Sequence, residues 1–356
     1  MMVFVSTLGS HSALDVSEGA KHEGMNSLVV CQKGREKVYA KHYKTRGHKG
    51  CVDEVLVLNK FAEIVKPENQ KRLEGSVFVP NRSFSVYVGY DAIEKDFKVP
   101  VFGNKYLLRA EERDAQKNQY FLLEKAGISI ARTFTPKNID SLALVKVQEK
   151  KRHYERAFFF AGSPEEYEEK GKDLIAKGVV AEEDLKKARI EEFILGAQFN
   201  FNFFYSPLTG ELELLGIDTR RQTNLDGLLR LPAHQQMEVL KYRRLTTIET
   251  GHIACTLRES LLEEVFEAGE KFVAEVKKHY KKGLVGPFAL QCAIEERDGK
   301  ESLVVFDVSF RMPGSPGTRF TPYSYYLYGE GISFGRRVAI EIKQANKEKR
   351  MEEVTS

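Results

Sequence analysis

Leu142–Gly162 reads LALVKVQEKKRHYERAFFFAG. An apolar run carries Lys146 near its end, a charged stretch follows, and the apolar residues Ala157–Ala161 close it. Two β-prone runs around a polar tip form a β-hairpin. Its tip, Glu149 to Arg156, is either a solvated ornament or a lid over a nucleotide. The segments on either side decide between the two.

Upstream, strand and helix alternate. VFVST (Val3–Thr7) reads as a buried strand and is followed by the loop Leu8-Gly9-Ser10-His11-Ser12. A helix from Ala13 to Glu23 ends at Gly24, in the position that favours a left-handed residue. SLVVC (Ser27–Cys31) and SVFVP (Ser76–Pro80) are further strands. Asn81-Arg82-Ser83 leads into a helix through Glu94, and VPVFG (Val99–Gly103) completes the set. This rhythm predicts a small parallel sheet with crossover helices over residues 1–103.

From Asn104 the pattern changes. A charged helix is expected through LLRAEERDAQKNQYFLLEKAG to Gly127, ahead of the hairpin. Ser163-Pro164-Glu165-Glu166 is a capping box with proline in the first turn. RIEEFILG, AQFNFNFFYSP and GELELLGID read as strands. A helix over Leu257–Lys281 is acidic at its start and basic at its end, which suits the helix dipole. A second hairpin, GPFALQCAIEE to ESLVVFDVSF, and a helix over Ser333–Lys347 end the chain. The fold class is therefore α/β and α+β: the small parallel-sheet domain, then a two-lobed part. The smaller lobe covers 104–195, with a hinge near Gly196, and the larger covers 196–356.

Composition narrows the function. Of 356 residues, 42% are hydrophobic, enough for packed cores; 30% are charged, with a net charge of +4. Such a mild balance argues against nucleic acid, which needs a concentrated basic face. The most basic stretch, Arg35–Gly50, reads as a solvated loop or edge; a phosphate-backbone groove and a pocket for a small anion are the other readings. No apolar window reaches the ~18 residues of a membrane span, and the N-terminus lacks the basic region of a signal peptide. Cys31, Cys51, Cys255 and Cys292 are scattered without a CxxC pair, so neither disulfides nor zinc are expected, and a reducing cytoplasm is.

Three places carry polar residues where chemistry could sit. TLGSHSAL and VPNRSF lie beyond the carboxyl ends of parallel strands, where ligands of open sheets bind. There Ser10, Ser12 and Ser83 either cap helices or, with His11 and Arg82, hold a phosphate. No GxGxxG is present, which argues against a dinucleotide. In the last hairpin Gln291 and Asp307 interrupt apolar strands, and a polar side chain there needs a partner. Either Asp307 is salt-bridged to Arg311, or Gln291 and Asp307 hold Mg²⁺ and Arg311 neutralises a transferring phosphate. The pair can act together only on one face of the hairpin. A two-residue turn at Asp298-Gly299 would set Gln291 opposite Phe306, so an odd-numbered loop or a bulge is expected. Third, RIEEFILG has the shape of a hinge whose backbone can meet a purine edge.

In this order the pieces resemble the ATP-grasp superfamily: strand lysine, hairpin loop, E-x-[FY]-[IV] hinge and paired late-strand metal ligands. More closely, TLGSHSAL, VPVFGNKYLLR, EEFILGAQFNFNFFYSPLTGELELLGID, TRRQTNLDGLLRLPAHQQ, LRESLLEEVFEAGEKFV and VGPFALQ are similar to the archaeal formate-dependent 5-formaminoimidazole-4-carboxamide ribonucleotide synthetases of purine (IMP) biosynthesis. The resemblance spans nearly the whole chain. It implies an ATP-grasp C–N ligase, cytoplasmic and homo-oligomeric, that formylates aminoimidazole carboxamide ribotide with formate through formyl phosphate. It implies ATP and Mg²⁺, with Mn²⁺ as the alternative ion. Matched positions give ribotide contacts at His11, Ser83 and His252, and ATP contacts at Lys146, Glu192, Phe193, Ile194 and Gln222. Metal ligands fall at Gln291 and Asp307, and a catalytic cation at Arg311. The family's glycine-rich loop after the lysine is absent, Gln222 and Asp307 stand for glutamates, and His252 stands for an asparagine. These departures make a paralogue that binds nucleotide or ribotide without turnover the alternative reading.

Overall fold

A computed structural model of the chain describes residues 4–356 except 113–114, 148–157, 244, 246–247 and 298. Among the described residues the strands form three sheets. In the first, β1 (Phe4–Leu8), β2 (Ser27–Gln32), β3 (Glu54–Leu58) and β4 (Ser76–Phe78) lie parallel in the order β3-β2-β1-β4. The central runs are apolar because parallel strands are covered on both faces. Helix Ala13–His22 links β1 to β2, and Gly24, at φ +76, lets the chain turn out of it. β3 answers to no segment expected from the sequence. It is the edge strand and leaves Val57 45% exposed, so its apolar signal is weak.

The second sheet, in the order β5-β8-β6-β7, joins β5 (Thr133–Phe134), β6 (Ala143–Lys146), β7 (Phe158–Ala161) and β8 (Arg189–Glu192) with all pairs antiparallel. The hairpin expected around Lys146 is β6–β7, with Ala143 opposite Ala161. Its charged tip lies outside the described residues. Ser163 Oγ accepts from the Glu166 N–H at 3.3 Å and starts helix Pro164–Ala176.

The third sheet is antiparallel: β9 (Gly196–Tyr205), β10 (Leu212–Gln222), β11 (Glu249–Cys255), β12 (Gly286–Arg297) and β13 (Lys300–Ser309), in the order β11-β10-β9-β12-β13. Its faces differ because side chains alternate. Phe201, Phe203, Phe288 and Leu290 pack on one side in the largest core cluster, to which Phe272 and Val276 of helix Leu262–His279 also belong. The opposite face carries Asn200, Asn202, Asp218 and Gln291.

Two expected elements are broken. Leu107–Gly127 is a 3₁₀ turn, Leu108–Glu111, and a separate helix, Gln119–Lys125. Asn118 Oδ1 accepts from the Phe121 N–H at 3.0 Å and opens a new helix there. The helix expected through Glu94 splits at Gly89 (φ +87) into Arg82–Val88 and Tyr90–Lys95. VPVFG forms single bridges: Val101 pairs with Phe78 and Phe102 with Thr355. The C-terminus thus returns to the first sheet, where the Ser356 N–H donates to Val101 O at 2.8 Å.

Helix Phe334–Glu348 returns with it and lies against helix Ala13–His22. The approach requires glycine on both sides. A Cβ on Gly335 would stand 2.0 Å from Asp15 O, and one on Gly19 would stand 2.2 Å from the Gly335 carbonyl carbon. Asp15 is buried at this contact, and its carboxylate accepts from the Gly335 N–H at 3.2 Å. Desolvation raises its pKa to about 6 despite that bond and one from Ser333. Helix propensity alone would make Gly335→Ala stabilising by about 0.5–1 kcal/mol. Overpacking instead makes it destabilising by about 1–3 kcal/mol. A urea midpoint lowered at unchanged slope is the expected result; a raised midpoint would show that the helices separate without penalty.

Candidate active site

β1 and β4 are neighbours, so their carboxyl-end loops meet. Asn81 ties them: its side-chain amide donates to Leu8 O at 2.8 Å, and its oxygen accepts from the Phe84 N–H at 3.3 Å. Ser83 Oγ lies 2.6 Å from Ser10 Oγ. Neither Ser10 nor Ser83 is the cap of its helix, and Ser12 makes no capping bond; its hydroxyl donates to Pro313 O. That bond holds the segment after β13 against the first loop. A Cβ added to Gly314 would come 3.2 Å from His252 Nε2 and 3.4 Å from His11 Nδ1. His11, from the first sheet, and His252, on β11 of the third, therefore flank the same glycine.

A row of polar side chains crosses the third sheet. Asp218 on β10 is in register with Asn200 on β9, Asn200 with Gln291 on β12, and Gln291 with Asp307 on β13. The last pairing depends on a bulge. Arg297 pairs with Lys300 around the hairpin turn, and this register continues to Cys292 opposite Val305. It then shifts by the one extra residue, Phe306, which puts Gln291 opposite Asp307. Asp218 is 1% and Gln291 4% exposed, so both need partners.

A hydrogen-bonded chain supplies them. Asn202 Nδ2 donates to Asp218 Oδ1 at 3.1 Å, and Asp218 Oδ2 meets His252 Nδ1. His252 Nε2 lies 2.9 Å from Glu249 Oε1, and Glu249 Oε2 is 3.1 Å from Arg220 Nε. Arg220 donates to Gln291 Oε1, and Gln291 Nε2 donates to Ser309 Oγ at 3.2 Å. Burial pulls the His252 pKa down, but hydrogen bonds to Asp218 and Glu249 carry it up to about 9, so it is a cation at neutral pH. Burial opposes ionisation of Glu249 too, yet His252 and Arg220 hold it down at about 2.

At the exit of β13 one buried carboxylate, Glu111, gathers two arginines. Arg82 Nη1 is 3.1 Å and Arg311 Nε 3.2 Å from it, and the Phe310 N–H donates to it at 2.9 Å. Arg311 thus has Glu111 as an ion-pair partner. Burial lowers the Arg311 pKa, and the charges of Glu111 and Asp307 oppose the shift. Burial lowers the His11 pKa, Glu249 opposes this, and Arg311, His252 and Arg82 reinforce it. Two guanidiniums, an imidazole and the Ser10–Ser83 hydroxyls form a surface suited to a phosphate ester.

The second sheet presents Lys146 and the hinge. Lys146 Nζ is 2.5 Å from Glu191 Oε1, and both side chains are buried. The Glu192 N–H donates to Arg132 O and the Phe193 N–H to Leu142 O, each at 2.8 Å, and Arg132 Nε pairs with Glu192 at 2.9 Å. Ile194 and the exposed Leu195 follow beyond the last strand pair. Arg189 of this sheet lies over the ring of Tyr120 in helix Gln119–Lys125, and the Tyr120 hydroxyl donates to Phe306 O on β13 at 3.3 Å. Gln222 stands apart at the end of β10, where its N–H donates to Asp226.

His11, Ser83, His252 and Arg311 therefore gather at one junction, with Gln291 and Asp307 on the adjoining row. Sequence reasoning missed Asp218, Arg220, Glu249 and Glu111. The first two sit two apart in the strand GELELLGIDTRR, so they share one face of it; the others lie in segments without strong periodicity.

For Mg²⁺ the donor set is one anionic oxygen, Asp307, and one amide oxygen, Gln291 Oε1, which Arg220 engages. No group of three His, Cys, Asp or Glu side chains suited to a metal is found among the described residues. The pair fits an ion carried in by phosphates, since Mg²⁺ takes one or two carboxylates plus phosphate oxygens and water. It does not fit an all-protein cage.

His252 sets a pH dependence. Its pKa lies above the unfolded value of 6.5, so the stability it adds is complete below pH 6.5 and is lost as pH rises through about 9. Urea midpoints should fall from pH 6.5 to 9, and His252→Gln should flatten that slope. An equal slope in the variant would show that His252 is not a buried cation.

Comparisons with known proteins agree with this geometry. Family models described as a domain of unknown function (DUF1297) and a protein of unknown function (DUF1246) match residues 166–356 and 5–134. A 5-formaminoimidazole-4-carboxamide-1-(beta)-D-ribofuranosyl 5'-monophosphate synthetase of Methanopyrus kandleri is 39% identical over 345 residues, covering 96% of this chain and 91% of the relative. The crystal structure of an IMP biosynthesis protein PurP from Thermococcus kodakaraensis superposes with a TM-score of 0.73 at 30% identity, over 99% of this chain and 100% of that one. The N5-carboxyaminoimidazole synthetase of Staphylococcus aureus, complexed with ADP, shares the fold, with a TM-score of 0.56 at 11% identity over 88% and 72% of the two chains. A parallel sheet followed by antiparallel lobes, matched end to end by such relatives, places this chain in the 5-formaminoimidazole-4-carboxamide ribonucleotide synthetase family.

Proposed function

We propose that the protein joins formate to the amine of 5-aminoimidazole-4-carboxamide ribotide at the expense of ATP. The carrying observation is the junction where His11, Ser83, Arg82 and Arg311 from two sheets meet beside the Gln291–Asp307 row. A carboxylate does not acylate an amine unaided. In this reading a formate oxygen attacks the γ-phosphorus, ADP leaves, and formyl phosphate forms. The ribotide amine then attacks the formyl carbon, the C–O bond to phosphate breaks, and the amine proton is released.

Each residue has a task in that sequence. Arg82, Ser10 and Ser83 hold the ribotide phosphate, and His11, uncharged at neutral pH, hydrogen-bonds the ribotide. Arg311 offsets charge on the transferring phosphoryl group. The Asp218–His252–Glu249 chain fixes a cation over Gly314 and positions the ribotide. Lys146 meets the ATP phosphates. The N–H groups of Glu192 and Phe193 are taken by the carbonyls of Arg132 and Leu142, so the purine edge is read at Ile194, with Gln222 at the rim. Asp307 and, once freed from Arg220, Gln291 would hold Mg²⁺, which supplies charge neutralisation between phosphates when bound.

The test uses formate labelled with ¹⁸O. ADP release should require both formate and ribotide, and one label should appear in the inorganic phosphate. Arg311→Ala should lower kcat by about 10²-fold or more, and Asp307→Asn should abolish Mg²⁺-dependent ATP binding with the fold intact. Unlabelled phosphate, or turnover without formate, would contradict the reaction. Unaltered ATP·Mg²⁺ binding by Asp307→Asn would make that residue structural.

A further inference from the structure

Beside Lys146 stands a charged residue to which the reaction above gives no task. Arg189, the first residue of β8, is in register with Lys146 on β6, so both side chains emerge on one face of the second sheet. The carboxylate between them, Glu191, forms an ion pair with Lys146 at 2.5 Å. It comes only within 3.6 Å of Arg189 Nε, beyond a hydrogen bond. Among the described residues, Arg189 Nε and Nη2 are shielded from solvent and have no hydrogen-bond acceptor. Buried guanidinium donors without acceptors are unfavourable, and native proteins seldom leave them so.

The guanidinium is nonetheless fixed. Its Cζ lies 3.6 Å from the centre of the Tyr120 ring, a cation–π contact that holds it in place. Tyr120 is itself anchored, because its hydroxyl donates to Phe306 O at 3.3 Å. Phe306 is the bulge residue that brings Asp307 opposite Gln291. Arg189 is therefore tied to the metal-side hairpin through one ring, while it shares the face of Lys146. A planar fork with two unused donors matches two phosphate oxygens.

We propose that Arg189 is a ligand of the nucleotide's phosphates, supplying donors that glycine-rich lids provide through backbone amides. The sequence after Lys146, QEKKRHYERA, contains none of the Cβ-free residues through which glycine-rich loops bring backbone amides close to a triphosphate. A side chain on the opposite strand meets the same need from a rigid position. This inference rests on the ATP reading given above.

The experiment is calorimetric titration of the full-length protein with ATP·Mg²⁺, ADP·Mg²⁺ and adenosine. Arg189→Gln should weaken ATP and ADP by about tenfold or more, as loss of a charge-assisted bidentate contact does, and leave adenosine unchanged. Arg189→Lys, which keeps the charge but not the fork, should fall between. Equal losses for adenosine and ATP would mean that Arg189 only shapes the sheet. Wild-type affinity for ATP in both variants would also overturn the inference. Failure of the wild-type protein to bind ATP would instead overturn the reading on which it rests.

Discussion

One buried carboxylate organises the junction. Glu111 accepts from Arg82, Arg311 and the Phe310 N–H, and its side chain is only 5% exposed. Burying such a group with two guanidiniums is expensive in solvation, and hydrophobic replacements of similar volume are often no less stable. Its value is positional. Arg82 opens the helix that follows β4, and Arg311 follows β13. A single carboxylate thus fixes the exit of the parallel sheet against the exit of the metal-side hairpin. Removing it would leave two cations buried and mutually repelling.

The third sheet converts alternation into a working surface. Its aromatic side is held by stacked rings: Phe203 on β9 and Phe288 on β12 have centroids 5.3 Å apart, and Phe288 lies 6.0 Å from Phe272 of helix Leu262–His279. This makes a stiff floor. The opposite side carries a polar chain from Asn202 to Ser309 in which each link orients the next, so a ligand would meet groups already held. This surface requires two departures from regular pairing: the bulge at Phe306, and a register shift between Leu214 and Gly216 that puts Asp218 opposite Asn200.

Much of this was legible in the sequence because it is local. The Gly24 terminus, the Ser163 cap, both hairpins and the need for a bulge or odd loop all follow from short patterns. The resemblance located the junction residues through whole segments rather than through chemistry. What was not legible depends on distant partners. VPVFG reads as a strand, but its partners are Phe78 and the last residues of the chain. Leu107–Gly127 reads as one helix, but Asn118 restarts it, and Glu111 is drawn to arginines far away in sequence. The missing acceptors of Arg189 appear only once Glu191 is seen to serve Lys146. FNFNFF, by contrast, alternates with the two-residue period of a strand that has one polar face.

Glu111 shapes this junction into an anion site. Calorimetric titration with 5-aminoimidazole-4-carboxamide ribotide, without nucleotide, tests it most directly. The wild-type protein should bind the ribotide. Glu111→Gln should bind it at least about tenfold more weakly while remaining folded, because Arg82 and Arg311 lose the charge that aligns them. Ribotide binding of equal affinity in the variant would contradict the account.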